Sequence, residues 1–221
     1  MSCLVANNFI LTKGIIKTKD LKMSWLKFLE DGGFVMYPLL ICSIIVWAIS
    51  FEKIWFIFSF NKSFSSLYGA ALLLLKDKKI SEARGLYHNA HPLIEGPYSA
   101  IFETHSDKAK LEQKISRRLS ETQIGLKRFL WILGTIGSSA PFIGLFGTVM
   151  GIIKSFDSMA TSGKGGFSVV AADLSEALIA TAAGIIVAVM AVMLYNYFQS
   201  KLSIINLQFK NRLEDLLDLI E

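Results

Sequence analysis

Apolar residues occur in long blocks along this chain, and polar segments separate the blocks. Residues 129–153 and 177–200 contain no charged side chain, and each stretch exceeds the roughly 20 residues that a helix needs to cross a bilayer. A further apolar block covers 32–51 and continues beyond a single charged pair. The pattern therefore predicts three transmembrane helices. They are placed at 35–58, 129–153 and 177–198.

The polar segments also carry a helical pattern. Charged and apolar residues interleave through most of 61–128, and 201–221 continues the third block as an amphipathic helix. The predicted parts are an N-terminal segment (1–33), a first transmembrane helix (34–60), a helical domain (61–128), a second transmembrane helix (129–156), a loop (157–167), a third transmembrane helix (168–200) and a C-terminal helix (201–221). We therefore predict an all-α integral membrane protein with three transmembrane helices and long cytoplasmic helical extensions.

The distribution of basic residues predicts the orientation. The segment 61–128 carries twelve Lys and Arg, whereas the connection between the second and third blocks carries only Lys154 and Lys164. The positive-inside rule places the more basic segment and the C-terminus in the cytoplasm. Five Lys before the first span argue for the opposite orientation. A start at Met23 would remove four of them and leave 1–22 as a periplasmic extension.

The cytoplasmic segment is expected to contain one long helix. Pro92 and the pair Gly96-Pro97 predict a turn. From about Tyr98 the chain is expected to form a single helix that runs into the second span, because no later proline interrupts it. Apolar side chains at helical spacing predict a packing seam along this helix, formed by Leu111, Ile115, Leu119, Thr122 and Leu126.

The residue types do not indicate catalysis. Cys42 is expected to be a small apolar residue of the first span. The neighbours Glu52 and Lys53 do not share a helix face, so each is expected to find a different partner or to snorkel to the membrane surface. His88 and His91 are three residues apart and could bind a metal, but no Cys or carboxylate accompanies them. No nucleophile–base pair or cofactor fingerprint occurs, and no basic stripe is interleaved with aromatics, so we expect no enzyme, no cofactor, no metal and no nucleic-acid partner.

Small residues follow one face of the second span and recur on the third. In the second span they are three and four residues apart: Gly134, Gly137, Pro141, Gly144, Thr148 and Gly151. The third span repeats the pattern with Ala177, Thr181, Gly184, Ala188 and Ala191. These faces could wall a narrow conduit that the two Thr hydroxyls line. They could equally serve close helix packing, with each hydroxyl bonded to a carbonyl of its own helix.

Glu176 lies where the third span begins. An ionisable residue in or near the apolar layer is a functional hypothesis, and the alternative is an interfacial carboxylate near a helix N-terminus. Asp173, three residues earlier, is expected to be solvated. Between Arg128 and Lys154, and between Glu176 and Lys201, the chain contains no carboxylate, His or Lys. If the protein conducts ions, the carrier must therefore be Glu176 or a group on another chain.

Two runs resemble a known family. LGTIGSSAPFIGLFGTVMGIIKSF and LSEALIATAAGIIVAVMAVMLYNYF resemble the second and third transmembrane helices of the ExbB/TolQ/MotA stator family, most closely its ExbB and TolQ branches. The resemblance implies a bacterial inner-membrane protein that forms a homopentamer around two copies of a single-span ExbD- or TolR-like partner, whose helix supplies an Asp. It also implies that Thr148 and Thr181 face the pore and that Glu176 is the acidic position of the third helix.

The implied function is that of a channel-forming stator subunit, which converts ion flow into mechanical work on the cell envelope. A MotA-like motility stator is an alternative, although such proteins usually have four spans. A non-conducting membrane scaffold is another. A solute transporter is disfavoured because no inverted repeat or broken helix pair is present. The choice between protons and sodium, and between iron-siderophore uptake, envelope maintenance and motility, stays open.

Overall fold

The computed structural model describes residues 33–86, 90–103, 108–162 and 167–220. These residues form helices and turns without any strand, which confirms the predicted all-α class. The helices are α1 (Met36–Lys76), α2 (Ile80–Gly85), α3 (Pro92–Ala100), α4 (Lys108–Leu126), α5 (Leu130–Ser162) and α6 (Phe167–Asp218). The predicted extension 1–22 and the possible metal ligand His88 lie outside the described residues.

Three helices of the described chain are long and apolar enough to cross a membrane, as predicted. These are Met36–Lys76, Leu130–Thr161 and Asp173–Asp218. Helix α1 has 41 residues and α6 has 52, which correspond to lengths of about 60 and 78 Å. Because the hydrocarbon layer is only about 30 Å thick, both helices must continue well beyond it.

The chain divides into two compact units. Unit 1 comprises Met1–Ile41 and Ala140–Ile186, and unit 2 comprises Cys42–Ser139 and Val187–Glu221. An aromatic cluster forms part of the core of unit 2, where the rings of Phe64 and Phe209 meet edge to face at 4.6 Å between centroids. Phe60 is also buried, and its ring centroid lies 5.8 Å from that of Phe209. Burial of each such ring contributes about 1.5–3 kcal/mol to folding.

The prediction of one continuous helix from Tyr98 into the second span is wrong. Tyr98 belongs to α3, which ends at Ala100, and α4 begins only at Lys108. A second break separates α4 from α5, where residues 127–129 form a turn. Phe129 has φ 66°, in the left-handed region that interrupts a right-handed helix.

The predicted turn at Gly96-Pro97 is also wrong, because both residues lie inside α3. Pro92 begins this helix at a position where a missing N–H costs nothing. Pro97 has no N–H to donate to the carbonyl of Leu93, and Thr122 Oγ1 of α4 donates to that oxygen instead, at 2.8 Å. The stripe of α4 is largely buried, in agreement with the predicted seam: Ile115, Leu119, Thr122 and Leu126.

Candidate functional site

The small-residue faces of α5 and α6 meet directly in unit 1. A Cβ atom placed on Gly184 would lie 2.7 Å from the carbonyl oxygen of Ala140, and one placed on Gly144 would lie 3.0 Å from Cα of Thr181. Backbone occupies the space that a side chain would need at both positions. The two helices therefore approach as closely as they do because glycine stands at 144 and 184.

The same contact continues toward the C-terminal end of α5. A Cβ atom on Gly147 would lie 3.0 Å from Cβ of Ala180, and one on Gly151 would overlap Cβ of Ala177. Gly147 was not among the predicted members of this face, although it lies three residues after Gly144 and four before Gly151. Its spacing was a sufficient signal.

The first members of the α5 face lie in unit 2. A Cβ atom on Gly137 would lie 2.6 Å from Cγ2 of Val192 and 3.6 Å from the carbonyl oxygen of Ala188. A Cβ atom on Gly134 would lie 3.6 Å from the ring of Tyr195, which is an ordinary contact distance. Close approach within unit 2 is thus enforced at Gly137 and not at Gly134.

The two candidate threonines make different hydrogen bonds. Thr148 Oγ1 donates to the carbonyl oxygen of Leu145 on its own helix, at 2.7 Å. Thr181 Oγ1 instead donates to the carbonyl oxygen of Gly144 on α5, at 2.9 Å. The alternative in which each hydroxyl bonds to its own helix therefore holds for Thr148 and not for Thr181. Both residues are half-buried. Each hydroxyl oxygen still has lone pairs that can accept a hydrogen bond from a ligand or partner.

Glu176 belongs to an ion-pair cluster in unit 1. Lys154 Nζ lies 3.0 Å from Oε2 of Glu176 and 3.1 Å from Oδ1 of Asp173. The side chain of Asp173 is only 15% exposed, so the prediction that it is solvated is wrong. Lys154 was not predicted as a site residue, although its position in the sequence indicates the cluster. Lys154 follows Gly151 by three residues and so lies on the small-residue face of α5. Asp173 and Glu176 are likewise three residues apart and share a face of α6.

A cavity of about 490 Å³ adjoins this cluster. Its lining is mostly apolar, and Lys154 and Glu176 are its ionisable members: Gly33, Phe34, Val35, Phe146, Gly147, Met150, Gly151, Lys154, Glu176 and Ala177. Gly33 has φ 66°, and a side chain there would collide with the Glu176 carboxylate. Glycine at position 33 thus allows the backbone to lie directly beside the Glu176 carboxylate. The site combines an apolar cavity with a carboxylate that is ion-paired to Lys154.

The remaining candidate, Pro141, is half-buried within α5. No group of three or more His, Cys, Asp or Glu side chains in the described part of the chain could hold a metal ion. The Nδ1 atom of His91 accepts a hydrogen bond from the backbone N–H of Leu93 at 3.2 Å, so this nitrogen is already engaged within the protein.

Residues 85–211 match the model of the MotA/TolQ/ExbB proton channel family, and this stretch is more than half of the chain. The chain belongs to this proton channel family. Every candidate site residue named above from the spans α5 and α6 falls inside the matched stretch, whereas α1 precedes it. With its three apolar helices, this member of the family is a membrane protein.

Named relatives come from both the ExbB and TolQ branches. The biopolymer transport protein ExbB of Pseudomonas putida is 33% identical over 174 residues, which are 74% of this chain and 52% of the relative. ExbB of Salmonella typhimurium is 30% identical over 178 residues, which are 74% of this chain and 71% of the relative. The Tol-Pal system protein TolQ of Pseudomonas aeruginosa is 43% identical over 83 residues, which are 38% of this chain and 36% of the relative. The chain thus spans about half the length of the first of these relatives.

Proposed function

We propose that this chain is the channel-forming subunit of an ion-driven stator complex in the bacterial inner membrane. The complex converts the proton or sodium motive force into mechanical work on the cell envelope, in the manner of ExbB or TolQ. One observation carries the proposal. Thr148 and Thr181 lie on the small-residue faces of α5 and α6, and Glu176 lies where the third span begins, all inside the stretch that matches a proton channel family.

The ion carrier is proposed to come from a partner chain. Residues 129–153 and 177–200 contain no group that could hold a charge in the apolar layer, and a relay there requires one. We infer a single-span ExbD- or TolR-like partner whose helix supplies an Asp, with two copies enclosed by a ring of five copies of this chain. A neighbouring gene for such a single-span protein would support this assembly.

Exposed apolar side chains agree with a membrane assembly. Trp55 is 81% exposed, Phe142 70% and Trp131 69% in the single chain. Lipid or neighbouring chains must cover such surfaces, since aromatic side chains are rarely left in water in such numbers. The proposed ring would cover part of this area, and the bilayer would cover the rest.

The threonines are proposed to act through their oxygen atoms. A hydroxyl can donate to an ionised carboxylate and can accept from a protonated one, so it serves both states of a partner Asp as protons pass. A hydroxyl oxygen can also contribute to sodium coordination, and this chemistry therefore suits either ion.

A non-conducting scaffold is the second candidate. The hydrogen bonds of Thr148 and Thr181 favour it, because each hydroxyl proton already has an acceptor within the chain. In that case the two side chains would serve only to pack and fasten the helices.

Ion uptake into proteoliposomes separates the two candidates. The chain is reconstituted with its partner, and uptake is measured for the double variant Thr148→Val, Thr181→Val. An unmet carboxylate in a low dielectric costs about 1–3 kcal/mol, so we expect uptake to fall by roughly 5- to 160-fold. Thr135→Val is the matched control, because Thr135 lies on α5 and bonds to its own helix at Trp131, at 3.0 Å, yet is exposed and off the small-residue face. Full uptake by the double variant would reject the ion-path role and favour the scaffold.

A further inference from the structure

Lys53 is a buried basic residue that the proposed ion path does not use. It lies in α1 within unit 2, and its side chain is 1% exposed. Taking an ammonium group out of water is unfavourable unless other groups replace its hydration. The groups that surround Lys53 therefore indicate why it is there.

Three groups replace the lost hydration. Lys53 Nζ donates a hydrogen bond to the carbonyl oxygen of Leu126 at 3.2 Å. The same atom lies 3.6 Å from Oε2 of Glu52 and 5.0 Å from the ring centroid of Phe56. Neighbours on a helix do not share a face, and Lys53 reaches Glu52 only because its long side chain is flexible. Lys53 thus has a different partner in the Leu126 carbonyl, but the expectation that the two neighbours do not pair with each other is wrong.

The carbonyl of Leu126 needs this bond because the helix ends there. In a continuous helix the N–H of Leu130 would donate to it, but that N–H donates to Lys127 at 3.1 Å instead. Leu126 is itself buried, so water does not readily substitute. A cation at this position also faces the negative end of the α4 dipole.

The turn that follows is conformationally strained. Phe129 adopts φ 66°, which lies in the left-handed region of backbone conformation. This region is unfavourable for a residue that carries a Cβ atom. The guanidinium of Arg128 stacks on the Phe129 ring at 4.4 Å, which fixes the side chain but does not remove the backbone strain. A stabilising interaction from outside residues 127–129 must therefore offset the backbone strain of the turn, and the bond from Lys53 to the Leu126 carbonyl is such an interaction.

We propose that Lys53 stabilises the joint between α4 and α5, where residues 127–129 form a turn and interrupt the helix. With the ammonium present, the Leu126 carbonyl has a donor although the helix is interrupted. Without it, the same carbonyl can be satisfied only if the chain straightens and the N–H of Leu130 returns to it. The proposal concerns unit 2 alone and does not depend on ion flow or on any partner.

A spin-label distance across the joint tests this. Labels at Ser120→Cys in α4 and Ser138→Cys in α5 occupy exposed positions, and Cys3→Ser and Cys42→Ser remove the native thiols. The labelled full-length chain is reconstituted in lipid and diluted with unlabelled chain, so that only distances within one chain are recorded. In one straight helix, residues 18 apart are separated by about 27 Å. We expect the interrupted joint to give a distance distribution that is narrow and centred below this value.

Lys53→Met keeps the apolar stem and removes the donor. We expect the distribution to broaden toward the straight-helix distance, whereas Lys53→Arg should keep it narrow. Lys62→Met is the matched control, since Lys62 is an exposed lysine of the same helix, and it should change nothing. An unchanged distribution in Lys53→Met would overturn the proposal.

The double variant Lys53→Met, Phe129→Gly covers the case in which Lys53→Met does not fold. Glycine adopts positive φ without strain, so it should restore both folded yield and the narrow distribution. If it restores neither, relief of the strain at Phe129 does not compensate for the missing ammonium, and the proposal is rejected.

Discussion

Thr122 Oγ1 donates a hydrogen bond at 2.8 Å to the carbonyl oxygen of Leu93, and it thereby replaces the N–H that Pro97 lacks. A proline inside α3 is thus tolerated because a hydroxyl on another helix satisfies the carbonyl that the proline leaves free. Thr122 is 2% exposed, which explains why a polar residue occupies an apolar stripe. The bond fastens α3 to α4.

Thr122→Val should destabilise the protein by about 1–3 kcal/mol, because the variant keeps the shape of the side chain but leaves a buried carbonyl without a donor. The free energy of unfolding in detergent measures the effect. Ser120→Ala is the control, since Ser120 is exposed and bonds to its own helix, and it should change stability by no more than about 0.5 kcal/mol. Equal effects in the two variants would contradict the assigned role of Thr122.

Gly184→Ala should weaken the contact between α5 and α6 in unit 1. The added Cβ would lie 2.7 Å from the carbonyl oxygen of Ala140, which cannot move without displacing α5. We expect a loss of about 1–3 kcal/mol in the free energy of unfolding. Gly69→Ala is the opposite case, because nothing lies within 4 Å of the new atom in α1, and it should stabilise by up to about 1 kcal/mol. An unchanged free energy of unfolding in Gly184→Ala would show that α5 and α6 can move apart at little cost.

This contact was predictable from sequence because its determinants are local. Small residues three and four apart define a helix face without knowledge of the partner, and the face of α5 meets its counterpart on α6 at Gly144 and Gly184. The length of each apolar block likewise fixes the number of spans. What spacing could not tell was the direction of the Thr181 hydroxyl, because both its own helix and α5 offer carbonyl oxygens.

The breaks around α3 and α4 were not predictable, because they depend on contacts between residues far apart in the sequence. Pro97 inside α3 depends on Thr122, and the turn at 127–129 contains neither Gly nor Pro. The bond from Lys53 to the carbonyl of Leu126 joins residues that are 73 positions apart. Tertiary contacts of this kind override local helical preference and leave no periodic signal in the sequence.

Glu176→Gln should lower ion uptake in the reconstituted complex if its charge serves the path. Asp173→Asn is the matched variant, because both carboxylates contact Lys154 and each substitution leaves the lysine one partner. We expect the larger loss for Glu176→Gln, since Glu176 lines the cavity in unit 1. Stability should change by no more than about 1 kcal/mol in either variant, because Lys154 is 57% exposed and its ion pairs are screened by solvent. Equal losses of uptake would point to the ion pair with Lys154 and away from Glu176 itself.

We expect His91 to make the stability of unit 2 depend on pH. Its Nδ1 accepts the N–H of Leu93 and so caps α3, and its ring packs edge-on against Phe56 and Phe60 at 5.5 and 5.8 Å between centroids. Partial burial lowers the pKa of His91 from its usual value. Protonation would also remove the acceptor and place a cation at a helix N-terminus, where the dipole repels it.

The free energy of unfolding should therefore fall as the pH falls below the ordinary histidine value of about 6.5. In that range the unfolded chain binds a proton at position 91 and the folded chain does not, so acid favours unfolding until the pH reaches the lowered pKa of the folded state. His91→Asn provides a cap that does not titrate. The difference in unfolding free energy between the wild-type protein and this variant, measured from pH 7.5 to 5, isolates the contribution of His91 from other titrating groups. A difference that is constant across this range would show that His91 takes up its proton equally in both states, and the cap would then carry no pH dependence.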